Sequence, residues 1–70
     1  MNIAEQVTDF LTRNRNQSFC DDCIREQVHL ARRQQAQRVT EALATTPLFI
    51  RRVGECVSCH KTTKLVISTA

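Results

Sequence analysis

The sequence predicts an α+β fold, mainly α: three helices followed by a C-terminal β-hairpin, in a single domain over residues 1–70. Three observations predict it. Apolar residues recur at helical spacing as far as Ala44. After Pro47 the texture changes to β-branched alternation, "LFIRRV" and then "KLVIST". Four cysteines fall into two Cys-x-x-Cys pairs, Cys20 with Cys23 and Cys56 with Cys59, and a chain this short needs such a staple.

Ile3, Val7, Phe10 and Leu11 form one stripe behind Asn2, an N-cap residue, and predict a first helix over residues 2–13. "RNRNQS" is polar and aperiodic and reads as a loop. Ser18 with Asp21 three positions on resembles a capping box, which starts a second helix with Asp21 and Asp22 in its first turn. The first cysteine pair then sits at a helix N-terminus, where backbone amides can donate to thiolates. Ile24, Val28 and Leu30 carry the inner face of this helix, which breaks near His29. A third helix runs from about Arg32 to Ala44, with Ala36, Val39 and Leu43 on one side and Gln34, Gln37, Arg38 and Glu41 on the other. Pro47 ends it, because the residue before proline is pushed out of the helical region. Residues 49–53 and 63–68 read as the two strands of the hairpin, whose tip carries Gly54 and the "CVSC" turn.

The hydrophobic fraction is 41%, with three Phe and neither Trp nor Tyr. A core of that make-up at this size rarely supplies more than roughly 3–5 kcal/mol. The N-terminus, "MNIAEQVTDF", has no basic leader, and no run approaches the ~18 apolar residues of a membrane span; the chain reads as soluble and cytoplasmic. In a reducing compartment, paired Cys-x-x-Cys motifs read as metal ligands, with disulfides or redox chemistry as the alternative. Two pairs separated by residues 24–55 suit one tetrahedral zinc ion, each tight turn supplying two thiolates and "CVSC" forming a zinc knuckle. Four thiolates leave no open position on the ion, so Cys20, Cys23, Cys56 and Cys59 are expected to hold a structural Zn2+, without His60 or His29 as ligand.

The formal charge is +3, and a tetrathiolate zinc centre of about −2 would bring the loaded domain to about +1. Distribution is more informative than the total. "ARRQQAQRVT", residues 31–40, holds three Arg and no acid, while Arg51, Arg52, Lys61 and Lys64 flank the second cysteine pair. No glycine-rich phosphate loop and no Ser/His/Asp constellation stands out, so neither an enzyme nor a small-molecule substrate is expected. Phe10, Phe19 and Phe49 read as core, with Phe19 packing beside the metal.

"CIREQVHLARRQQAQRVTEAL", residues 23–43, resembles the helix-turn-helix core of bacterial DNA-binding domains, with "HLA" as its turn, and most of the chain resembles their winged variety with the hairpin from Phe49 to Ile67 as wing. His29 stands where glycine is usual, which requires it to adopt a left-handed conformation. Gln35 stands where a branched apolar residue is common, which leaves the start of the third helix open. The cysteine pairs are foreign to ordinary winged helices and would make this a zinc-stapled variant. The resemblance implies that the third helix enters the major groove of duplex DNA, with Arg32, Arg33, Gln34, Gln37 and Arg38 on base edges and phosphates, and Arg51, Arg52, Lys61 and Lys64 on the backbone. It implies a regulator of transcription or of a mobile element. The competing reading is a zinc-ribbon-like module that binds a protein partner and whose basic residues only solvate it. A homodimer stays open.

Overall fold

A computed structural model describes all residues, 1–70. The chain forms α1 (Ile3–Arg13), β1 (Phe19–Cys20), α2 (Asp21–Val28), α3 (Arg33–Leu43), β2 (Phe49–Gly54) and β3 (Lys64–Thr69). The strands make one antiparallel sheet in the order β1-β3-β2. Three helices and a three-stranded sheet are thus an α+β fold, with one strand more than the hairpin expected from sequence. No helix is long and apolar enough to cross a membrane.

α1 begins where the sequence places it: the Asn2 side chain accepts a hydrogen bond from Glu5 N at 2.8 Å, satisfying one of the amides a helix start leaves unpaired. α2 does not begin as expected. Ser18 is not its cap, because Phe19 and Cys20 extend to pair with Ile67 and Val66 of β3. Cys20 becomes the N-cap with no side-chain hydrogen bond. Two extended residues lack the length that makes an alternating pattern visible, which is why β1 is silent in the sequence.

α2 ends in a Schellman motif. His29 takes φ 62°, ψ 44°, and the amides of His29 and Leu30 reach back to Glu26 O at 3.4 Å and Arg25 O at 2.9 Å. The left-handed histidine required in place of glycine is present, and it turns the chain sharply into α3. There Gln35 has a role that its polarity obscured: its side-chain oxygen accepts from Arg32 N at 3.0 Å, half of a capping box that sets the helix start at Arg33. At the other end the hydroxyls of Thr45 and Thr46 donate to Ala42 O and Leu43 O, each at 2.7 Å, adding to the backbone amides of the same residues on those end carbonyls.

One core cluster draws on every element: Val7 and Leu11 from α1, Phe19 from β1, Ile24 from α2, Ala36 from α3, Phe49 from β2 and Ile67 from β3, with Leu30 from the turn. Full burial of a side chain such as Leu11 or Ile24 contributes about 1.5–3 kcal/mol each. Because side chains alternate along a strand, the β2–β3 register divides the sheet. Phe49, Arg51 and Val53 with their partners Thr69, Ile67 and Leu65 lie on one face, which carries the core at Phe49 and Ile67 and is exposed at Val53 and Leu65; Ile50, Arg52 and Gly54 with Ser68, Val66 and Lys64 lie on the other. Phe19 joins the helical side, its ring 4.8 Å from that of Phe10 and edge-on. It therefore does not pack beside the cysteines as expected; Cys20, its neighbour on the strand, takes the other face, and Val66 packs there instead.

Candidate metal centre and the adjoining basic surface

The cysteines arrive from two segments distant in sequence. Cys20 and Cys23 occupy the N-cap and the first turn of α2. Cys56 and Cys59 lie in the loop between β2 and β3. That loop is tightened by His60 N to Cys56 O at 2.8 Å and Cys56 N to Lys61 O at 3.0 Å, with His60 at φ 63°. It is tied to the start of β1 by Val57 N to Ser18 O at 2.9 Å. His60 is thus a turn residue, its Nδ1 3.7 Å from Glu55 Oε2.

The four sulfurs lie within 4.8 Å of one another, with Cys20 Sγ and Cys59 Sγ 3.8 Å apart. A tetrahedron with metal–sulfur bonds of about 2.3 Å has edges of about 3.8 Å, so the donor set can hold one metal ion with little rearrangement. Cys20, Cys23 and Cys56 are buried and Cys59 is partly exposed. Without an ion the sulfurs differ sharply. Burial pushes the Cys20 and Cys23 thiols up. Burial also acts on Cys56, but the backbone amides of Cys59, Cys20 and Ser58 outweigh it and bring that thiol down to about 6. One of these donors is Cys20 N, 3.4 Å from Cys56 Sγ. The amide at the helix start thus serves the sulfur from the opposite loop.

The basic residues separate into groups that the sequence alone did not distinguish. Arg32, Arg33, Gln34 and Arg38 are exposed on or beside α3. Gln37 is half-buried and donates to Glu41 Oε1 at 3.0 Å. Arg51 points inward: its side chain is 15% exposed and its Nη2 lies 3.1 Å from Asp21 Oδ2. Asp21 is itself buried, and its Oδ1 accepts from Thr40 Oγ1 at 2.7 Å. Arg51 therefore spends its charge inside the molecule, joining β2 to α2 and α3. Arg52 is exposed, opposite Val66 in the sheet, on the face that does not carry Phe49 and Ile67. Lys61 and Lys64 line a shallow depression with Cys23, Cys59 and Asp22. Lys64 donates to Asp22 Oδ2 at 2.6 Å, and Arg33 Nε lies 3.2 Å from Asp22 Oδ1. That lysine holds the Asp22 carboxyl below its ordinary range, and its own pKa is raised in return.

Three contributors were missed from the sequence: Asp21 and Thr40 as a buried polar pair, Asp22 as a bridge, and Val66 as the apolar wall of the cysteine cluster. A signal existed for the first of them. Period two in "FIRRV" puts Arg51 on the side of Phe49, and Thr40 lies four residues from Ala36 on the buried stripe of α3. No family model, no curated protein and no solved structure matches this chain.

Proposed function

We propose that this chain is a zinc-stabilised DNA-binding domain of the winged helix-turn-helix kind, acting in the regulation of transcription or of a mobile element. The observation that carries the reading is the surface of α3. It follows a tight left-handed turn at His29 and carries exposed Arg33, Gln34 and Arg38, with exposed Arg32 as its N-cap; Arg32 and Arg38 have no ion-pair partner in the chain, whereas Arg51 and Lys64 are each paired to an aspartate. Arg is suited to guanine and to phosphate, and Gln to adenine. Support also comes from the order helix, short strand, helix, turn, helix, hairpin. Zinc is the ion proposed, because four thiolates around one closed position suit a structural zinc site. Of the basic residues near the hairpin, Lys61 remains a candidate for backbone contact; Arg51 does not, since contacting phosphate would uncover Asp21.

One observation favours a second reading, the protein-binding module. Val53 and Leu65 are directly opposite each other across β2 and β3 and are 64% and 44% exposed, an apolar pair of the sort that protein interfaces cover. A residue-resolved NMR titration of the zinc-loaded chain with mixed-sequence duplex DNA separates the two. Shifts centred on residues 32–38 that fade as salt rises are the expected result, because phosphate contacts release counterions. No shifts at low salt would remove the DNA reading and leave the protein-binding one.

A further inference from the structure

Asp22 is the partly exposed carboxylate between the first two cysteines that meets a basic residue of α3. It stands between Cys20 and Cys23 in the chain, and its two oxygens are divided: Oδ2 takes Lys64 Nζ at 2.6 Å, and Oδ1 lies 3.2 Å from Nε of Arg33. Arg33 is the first residue of α3, the part of a recognition helix that meets base edges. Its side chain is 57% exposed, and an arginine so exposed ordinarily spreads over many rotamers at a large cost in entropy on binding. The ion pair is recorded at Nε, the edge of the guanidinium from which a carboxylate can orient its plane, and the two terminal nitrogens are the pair that matches guanine O6 and N7. The aspartate is itself anchored, because Lys64 holds the second oxygen and Cys23 follows it directly in the chain.

We propose that Asp22 is a positioning residue that holds Arg33 by Nε and presents its terminal nitrogens together to a guanine edge. Discrimination of one G·C pair then depends on a loop whose shape is set by the cysteine ligands, so loading the metal tunes specificity as well as stability. The inference rests on the DNA-binding reading above.

The experiment has two arms, both on the full zinc-loaded chain. In the first, without DNA, nitrogen-15 relaxation of Arg33 Nε–H reports restricted motion, which becomes free in Asp22→Ala. In the second, duplexes selected from a randomised pool show a guanine preference in the unsubstituted chain that Arg33→Ala removes. Asp22→Ala removes the same preference, by roughly five- to a hundred-fold, while binding of mixed-sequence duplex is unchanged or tighter because a negative charge has gone. A merely structural role would weaken both kinds of binding together. If alanine lowers zinc occupancy, Asp22→Glu serves instead: it keeps the charge but displaces the carboxylate, and the same preference is lost. A freely mobile Arg33 Nε in the unsubstituted chain, or a guanine preference that survives both Asp22 variants, overturns the proposal. Absence of any duplex binding at low salt defeats the DNA reading and this inference with it, while the relaxation arm still reports separately whether Arg33 is held.

Discussion

Asp21 shows how much one side chain can carry in a domain of this size. Its oxygens are shared between Thr40 and Arg51, so a single buried carboxylate fixes α2 to α3 and to β2. Removing one partner of a buried pair strands the other, at about 3–5 kcal/mol. Asp21→Ala is therefore expected to cost about 3 kcal/mol or more in denaturant melts of the zinc-loaded chain, and Thr40→Val about 1–3 kcal/mol by leaving Asp21 Oδ1 without its donor. Asp9→Ala breaks only the exposed pair with Arg13 and should cost less than about 0.5 kcal/mol. Equal losses for Asp9→Ala and Asp21→Ala would mean that the buried trio is not what ties the layers together. His29 offers the opposite case. At φ 62° a side chain with a Cβ is strained, so His29→Gly is expected to raise stability by about 0.5–1 kcal/mol, and a lower melting temperature would contradict the cap assignment.

α3 has one buried and one exposed face, and on the DNA-binding reading proposed above the two have separate tasks. Ala36 and Thr40 are buried on one side, and Arg38 and Gln34 stand exposed on the other. Arg38→Ala and Gln34→Ala should therefore leave the melting temperature within a degree or two while weakening duplex binding, Arg38→Ala also lowering the salt slope by about one. Unchanged affinity in both variants would move the binding surface off α3. The contact between α2 and β3 through Asp22 and Lys64 makes a different kind of prediction. The Asp22 carboxyl is held below its ordinary 3.8, so the stability it contributes is present above 3.8 and lost as pH falls through its lower folded value. Lys64 is raised above 10.5, and its contribution is present below 10.5 and lost only as pH rises through its higher folded value. The melting difference between the unsubstituted chain and Lys64→Met should thus be constant across the neutral range and shrink only toward those extremes. A difference that varied steeply between pH 6 and 8, to take an order-of-magnitude neutral window, would point to another partner.

Taken whole, the molecule has two clusters on opposite faces of one small sheet: the apolar core against the helices, and the cysteine cluster with Val66 on the far side. Only the second fastens the loop between β2 and β3 to the start of α2. Binding energy at such a site is folding energy, so chelation should abolish the cooperative melt, and titration with Co2+ should reach the intense charge-transfer absorption of a tetrathiolate at one ion per chain. Full melting behaviour after chelation would show that the apolar core suffices. Much of this was legible in advance. α1 with its Asn2 cap, the break at His29, α3 to within a residue at each end, both hairpin strands and the cysteine grouping all follow from local pattern. Spacing and capping are encoded within a few residues of where they act, and two closely spaced thiols have few uses. What the sequence could not decide is which charge meets which. Arg51 and Lys64 read as surface cations, yet Asp21 and Asp22 claim them from 30 and 42 positions away. Phe19 was free to face either the cysteine cluster or the core until β1 paired with β3 and sent it to the helices. Local periodicity names the elements, but partners distant in sequence are chosen by register and packing, and only the assembled tertiary structure brings those together.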